Sequence, residues 1–467
     1  MHAFLPRHLS AFVAFALLAI GRSVFAAEAD RDIDPRPFGI DLPPGTVSPG
    51  GDTVTTTTDA GEPVVGKVHV RVGEGAVILL PDGQLVARAA GKFTPTDRPF
   101  EPATKEQMIA ALTAEFPNFK VTSTNHYIYV SSASEEFNFG TSRILESMLP
   151  GVKGYAELNR LPVHNPKFPL VVVLFKSERD FQKYRRMPDG VVAYYHTLSN
   201  RVFIYEQSKL AETRPDLALQ QAISTIAHEG VHQILHNIGV QQRLSMWPLW
   251  LSEGLAEFFA PTSVGAKLKW KGAGQINDLR MYELEQYLKS RAAEDPDGQM
   301  VEKTVLAAQL TSTGYASAWA LTHYLAKNRR TEFDDLLRDV CPLGPLEGAT
   351  DVNALGFVRS NRDLFVKHFG DDLKDIERRL VLYLKKQSYS DPFQDAPHFV
   401  ATIQSGGGKR PQRSANTFHS PQLAGKWIRD TTAKLPEPQR SSSQATIRVF
   451  PNRQQAETFA TQFLQGR

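Results

Sequence analysis

The chain has 467 residues, 42% of them hydrophobic, with 53 Lys plus Arg against 50 Asp plus Glu. A formal net charge of +3 offers no broad basic surface, which argues against nucleic acid as a main partner. The length allows two or three domains with sizeable cores, and the single cysteine, Cys341, excludes an intrachain disulfide.

In chain order, residues 1–27 read as a secretory signal peptide. Arg7 and His8 supply a basic start, Leu9 to Ile20 is an apolar run too short to span a bilayer comfortably, and Val24-Phe25-Ala26 offers small residues for cleavage. A secreted or periplasmic protein is expected, with an uncleaved membrane anchor as the alternative. No later stretch is long and apolar enough for an integral membrane segment. Residues 28–60, rich in Pro, Gly, Asp and Thr without periodicity, read as a disordered linker. Residues 61–100 read as a small β module: Val68–Val72 and Ala76–Leu80 are strand-like, and Pro81-Asp82-Gly83 is a turn signal before Gln84–Arg88.

A larger domain is expected over residues 104–388. Lys105–Phe116 and Glu135–Met148 fit helices, His126–Ser131 a strand, and Pro169–Phe175 a buried strand. Ser177 opens a helix to about Arg186. Strands Val191–Tyr195 and Arg201–Tyr205 flank a turn at Leu198-Ser199-Asn200, and either one is a candidate sheet edge. Asp216 is a candidate N-cap for a helix that runs to about Asn237, where Asn237-Ile238-Gly239 supplies a stop. Trp247-Pro248 forces an extended lead into a second helix, for which Ser252 or the preceding turn is a candidate cap. Residues 389–444, with Ser405-Gly-Gly-Gly and Ser441-Ser-Ser, read as linker-like. Residues 445–467 read as a small strand-helix unit.

The chemistry concentrates in Thr225-Ile-Ala-His228-Glu229-Gly-Val-His232. Apolar residues at three- and four-residue steps make this a helix, and side chains at i and i+4 lie on one face. Two imidazoles so placed can close on one ion, with Glu229 beside them as general base: the H-E-x-x-H pattern of zinc peptidases. A catalytic zinc takes three protein ligands, and Glu253, in Trp250-Leu-Ser-Glu253-Gly-Leu-Ala-Glu257, is the natural third.

These two motifs resemble those of the gluzincin clan of metallopeptidases, and within it the bacterial peptidase-MA-like proteins of unassigned function. The resemblance covers roughly residues 105–385. It implies an α+β, zincin-like catalytic domain: a mixed sheet with an edge strand beside the H-E-x-x-H helix, followed by a helical subdomain. It also implies one Zn2+ per chain on His228, His232 and Glu253. Glu257, one turn past Glu253, then orients a zinc-bound histidine. Tyr315, opening a helix about sixty residues past Glu253, matches the tyrosine that supports the oxyanion in gluzincin aminopeptidases; His323 is the alternative donor. The metzincin pattern fails, because its third histidine would fall at Ile238. His236 belongs to neither pattern and reads as a helix-surface or cleft residue. No Gly-x-Met-x-Asn-like segment for amine recognition is present.

The expected activity is therefore hydrolysis of peptide or protein substrates through a zinc-activated water, with Glu229 as base. A non-catalytic zinc-containing envelope scaffold and an amide hydrolase acting on cell-wall peptides are the alternatives. Oligomeric state is not legible.

Overall fold

A computed structural model of the chain describes residues 32–58, 61–188, 190–208, 215–263, 269–291, 299–348, 360–406 and 411–466. The signal segment expected over residues 1–27 lies outside them. The described chain is α+β and falls into two units. One comprises Met1–Gln275 with Val301–Leu373, the other Ile276–Met300 with Lys374–Arg467.

The first unit opens with an antiparallel sheet of seven strands: β1 (Asp32–Ile33), β2 (Gly45–Pro49), β3 (Thr53–Thr57), β4 (Pro63–Val72), β5 (Gly75–Leu79), β6 (Leu85–Arg88) and β7 (Thr94–Pro95). The long strand β4 pairs with β2, β3 and β5 and carries a bulge between Val68 and Val70. Side chains alternate faces along a strand, so an extra residue moves everything beyond it to the opposite face. Accordingly Val68 packs with Val54, Ala76 and Ile78, whereas Val70 and Val72 pack with Val77, Ile33 and Leu42. The linker expected over residues 28–60 is corrected here, since β1–β3 lie inside it and Val54 is fully buried. Composition suggested a linker because the Thr-rich strand β3 becomes buried only by pairing with β4.

Next come α1 (Lys105–Glu115), β8 (Lys120–Ser123), β9 (Tyr127–Ser131), α2 (Glu135–Leu158), β10 (Leu170–Ser177), α3 (Glu178–Tyr184), β11 (Ala193–His196) and β12 (Arg201–Gln207). Thr104 and Gln107 close a reciprocal capping box on α1. The second sheet runs β11-β12-β10-β9-β8; its three inner strands are parallel and both edges antiparallel. Leu170–Phe175 is buried throughout, as an inner strand covered on both faces requires. Helix α2 continues ten residues past the expected Met148, through Pro150. Its buried face against the neighbouring elements outweighs the local cost of the proline.

The site-bearing helices are α4 (Pro215–Asn237) and α5 (Leu249–Phe259). Helix α4 already includes Pro215, so Asp216 lies within its first turn rather than capping it. Strands β13 (Thr262–Ser263) and β14 (Lys269–Trp270) follow, then α6 (Asp278–Ser290), α7 (Gln299–Val305), α8 (Ser312–Asn328), α9 (Arg330–Val340), α10 (Asn361–Phe369) and α11 (Leu373–Leu384). Cys341 is buried and free, and burial pushes its thiol up to about 12. No described helix is long and apolar enough to cross a membrane.

The second unit holds α6, most of α11 and an antiparallel sheet of β15 (His398–Ser405), β16 (Gln412–Phe418) and β17 (Gln444–Phe450), with α12 (Pro421–Ala433), α13 (Glu437–Ser441) and α14 (Arg453–Gln465). Residues 389–444 are thus corrected from linker to folded chain. Val400 meets Ala456 and Ala460 of α14, while its neighbour Ala401 meets Ala424 of α12, so β15 is covered on both faces. The strand and helix expected in 445–467 are the last two pieces of this unit.

Candidate metal centre

Helix α4 is buried almost all round where it passes the site: Ile223, Ile226, Ala227, Val231, Ile234 and Leu235 are core residues. A Cβ at Gly230 would stand 2.4 Å from Leu145 Cδ2 of α2, so glycine permits that close approach. Helix α5 starts directly after Pro248 with no side-chain cap, which places Ser252, a candidate cap, inside the helix. A Cβ at Gly254 would lie 2.1 Å from Thr322 Oγ1 and 2.7 Å from the Ala318 carbonyl. The missing side chain thus lets α5 sit against α8 and fixes the depth of Glu253 beside it.

His228, His232 and Glu253 are all buried, and their ligand atoms lie within 4.8 Å of one another. His228 Nε2 is 3.3 Å from His232 Nε2, 3.0 Å from Glu253 Oε2, and His232 Nε2 is 3.5 Å from that same oxygen. Donors about 2.0–2.1 Å from a tetrahedral ion stand roughly 3.3–3.4 Å apart. One shared proton pairs the two imidazole nitrogens with each other only, whereas a cation takes both together with the carboxylate. The donor set and its spacing therefore fit a zinc-type ion.

The buried ionisable side chains here act on one another. Burial alone would raise the Glu253 carboxyl, but His232 and His228 hold it well below the usual range. Burial alone would lower His228, but Glu257 and Glu253 lift it to about 10. Glu257 Oε1 lies 3.1 Å from His228 Nδ1. A carboxylate on that side directs the lone pair of Nε2 toward Glu253 and His232.

Glu229 is completely buried. Its Oε2 accepts the Tyr195 backbone N–H at 2.8 Å, and its Oε1 has no hydrogen-bond partner among the described residues. Burial raises its pKa, against the opposing pull of His228 and His232. One oxygen is anchored and the other is available to a small polar molecule.

Tyr315 is buried on α8 with its ring centroid 6.0 Å from that of His228, edge to face. His323 sits elsewhere: its Nε2 is 3.2 Å from the Gly274 carbonyl and its ring packs between Trp319 and Phe258. His236 is partly exposed and lies 5.4 Å from the Tyr195 ring in a stacked arrangement, outside the ligand group.

Sequence reasoning singled out neither Tyr195, Asn200, Gln233 nor Asn237. The signal was present in α4: Glu229, Gln233 and Asn237 recur every four residues, a second stripe beside that of His228 and His232. Of the two candidate edge strands, β11 is the edge and β12 lies inside the sheet.

A family model described as "Protein of unknown function (DUF1570)" matches residues 222–347, a span that takes in both histidines, Glu253 and Tyr315. No curated protein matches the chain.

Proposed function

We propose that the chain is a secreted or periplasmic zinc metallopeptidase of gluzincin type, binding one zinc on His228, His232 and Glu253 and hydrolysing peptide or protein substrates. The observation that carries this reading is the near-tetrahedral spacing of three buried donors beside a buried carboxylate oxygen without a partner among the described residues. Zinc bound there supplies a Lewis acid that acidifies a water and polarises a peptide carbonyl. Glu229 Oε1 takes the proton from the attacking water and delivers it to the leaving amine. Its burial raises its proton affinity, which favours the first of these transfers. Glu257 holds the His228 tautomer. Tyr315 is assigned to the developing oxyanion, where one donor contributes about 3 kcal/mol. Strand β11, paired on one side with β12, offers its outer edge to an extended substrate.

The test uses the purified full chain with fluorescein-labelled casein and a quenched fluorogenic peptide library. Cleavage that stops with a chelator and returns with one equivalent of zinc is expected. A zinc-loaded chain that cleaves nothing in either panel would remove the peptidase reading and leave a metal-binding protein.

A further inference from the structure

We infer that Asn200 is a positioning residue for Glu229, acting through the β11–β12 hairpin; the inference rests on the peptidase reading and adds to it the device that aims the base. Glu229 is held by one bond, from the Tyr195 N–H to Oε2 at 2.8 Å. That N–H belongs to a four-residue edge strand, hydrogen-bonded to β12 alone among the described strands. The direction of the base therefore depends on what locks this hairpin onto α4.

The lock is a buried polar chain that converges on Asn200. Tyr195 Oη donates to Asn200 Oδ1 at 2.8 Å. Asn200 Nδ2 donates to Asn237 Oδ1 at 2.8 Å, and Asn237 Nδ2 donates back to Asn200 Oδ1 at 2.7 Å. Gln233 Nε2 donates to the Asn200 carbonyl at 2.8 Å. Asn200, Asn237, Gln233 and Tyr195 are all buried, where a lost partner is costly and geometry is strongly specified. Asn200 has φ of 58°, the left-handed conformation that Asn accepts more readily than most residues. From there its side chain reaches α4 while its backbone turns the hairpin.

Helix geometry unites these contacts. Glu229, Gln233 and Asn237 lie four residues apart and thus form one stripe, and each of the three binds the segment Tyr195–Asn200. His228 and His232 form the adjacent stripe and face Glu253. One helix thereby presents its metal ligands along one line and grips the hairpin along the next, and Glu229 belongs to both. A second anchor supports the same turn: Arg243 donates to the Thr197 and Leu198 carbonyls at 2.5–2.9 Å and to the Gly83 carbonyl at 2.6 Å.

The experiment compares parent, Asn200→Gly, Tyr195→Phe, Glu229→Asp and the double variant Asn200→Gly with Glu229→Asp, each zinc-loaded. Glycine accepts the positive φ, so Asn200→Gly removes the side chain without straining the turn. Tyr195→Phe cuts a single link and keeps the backbone. The shorter carboxylate of Glu229→Asp does not reach the Tyr195 amide, so the lock has nothing to aim in that background. Asn200→Gly is expected to lower kcat by about 10–100-fold with KM and zinc affinity unchanged, Tyr195→Phe by less, and the double variant no further than Glu229→Asp alone. Hydrogen exchange at the Tyr195 amide is expected to accelerate at least about tenfold in Asn200→Gly. Losses that multiply in the double variant, or full activity in Asn200→Gly, would overturn the assignment. Should the zinc-loaded parent cleave nothing, the peptidase reading fails by itself. The Tyr195 amide then still decides the lock: protection lost in Asn200→Gly upholds it, and protection kept overturns it.

Discussion

Two polar clusters in this chain, one half-buried and one buried, are built on opposite plans. In the second unit, Arg453 reaches Asp391 Oδ2 and Glu285 Oε1 at 2.8 Å and Glu457 Oε1 at 2.7 Å, while the Tyr389 hydroxyl bonds Glu285. Each guanidinium nitrogen meets a carboxylate, so the knot is closed. In the candidate metal centre, two imidazole nitrogens face each other at 3.3 Å and Glu229 Oε1 has no partner among the described residues. Burying polar atoms without partners costs free energy that a closed knot recovers internally. The difference separates polar groups that hold a fold from polar groups arranged around something that must arrive.

The largest effect should come from Glu229→Gln. Turnover is expected to fall by about 10²–10⁴-fold, with zinc still at one per chain, because the amide keeps the shape and loses the base. Steady-state kinetics beside elemental analysis would check this, and full activity would remove Glu229 from the chemistry. Glu253→Ala comes next and acts on the metal. Zinc affinity measured by competition with a chelator should weaken by at least about 100-fold, and unchanged affinity would make Glu253 the wrong third ligand.

The fold of the second unit is tested by stability. Burial, with His398 nearby and Asp391 opposing, lowers His419 in the second unit from 6.5 to about 4. Its folded pKa lies below its unfolded one, so the unfolded chain binds the extra proton between these values. The contribution is full above pH 6.5 and is lost as the pH falls toward 4, by at most about 3 kcal/mol. Urea denaturation at pH 7 and 4.5 should show a flatter pH dependence in His419→Gln, and an equally steep one would assign the acid sensitivity to other groups. Smallest is Arg453→Met, expected to cost about 2 kcal/mol of stability, because Asp391 is left buried without its cation. Its cleavage rate and zinc content should match the parent, and a loss of zinc would blur the distinction between the two clusters.

The same contrast explains what was legible. His228, Glu229 and His232 lie within five residues on one helix, and Glu253 follows on the next helix, so local spacing sufficed. The polar lock joins Tyr195 and Asn200 to α4 residues more than thirty positions away, and Arg453 meets Glu285 across 168 residues. No local pattern reports such pairs. Helices α1 to α4 and strands β9 to β12 followed from apolar patterning. The stretches 28–60 and 389–444 did not, because β3 and β15 become core only through partners elsewhere in the chain, and Pro, Gly, Asp and Thr in the first and Gly and Ser runs in the second read as linker.

The most direct measurement is the metal content of the purified mature protein, of Glu229→Gln and of His232→Ala, by elemental analysis. About one zinc per chain in the parent, retained in Glu229→Gln and lost in His232→Ala, is the expected result. No zinc in the parent after reconstitution would contradict the metal centre and reduce the His228–His232 helix to an ordinary amphipathic one.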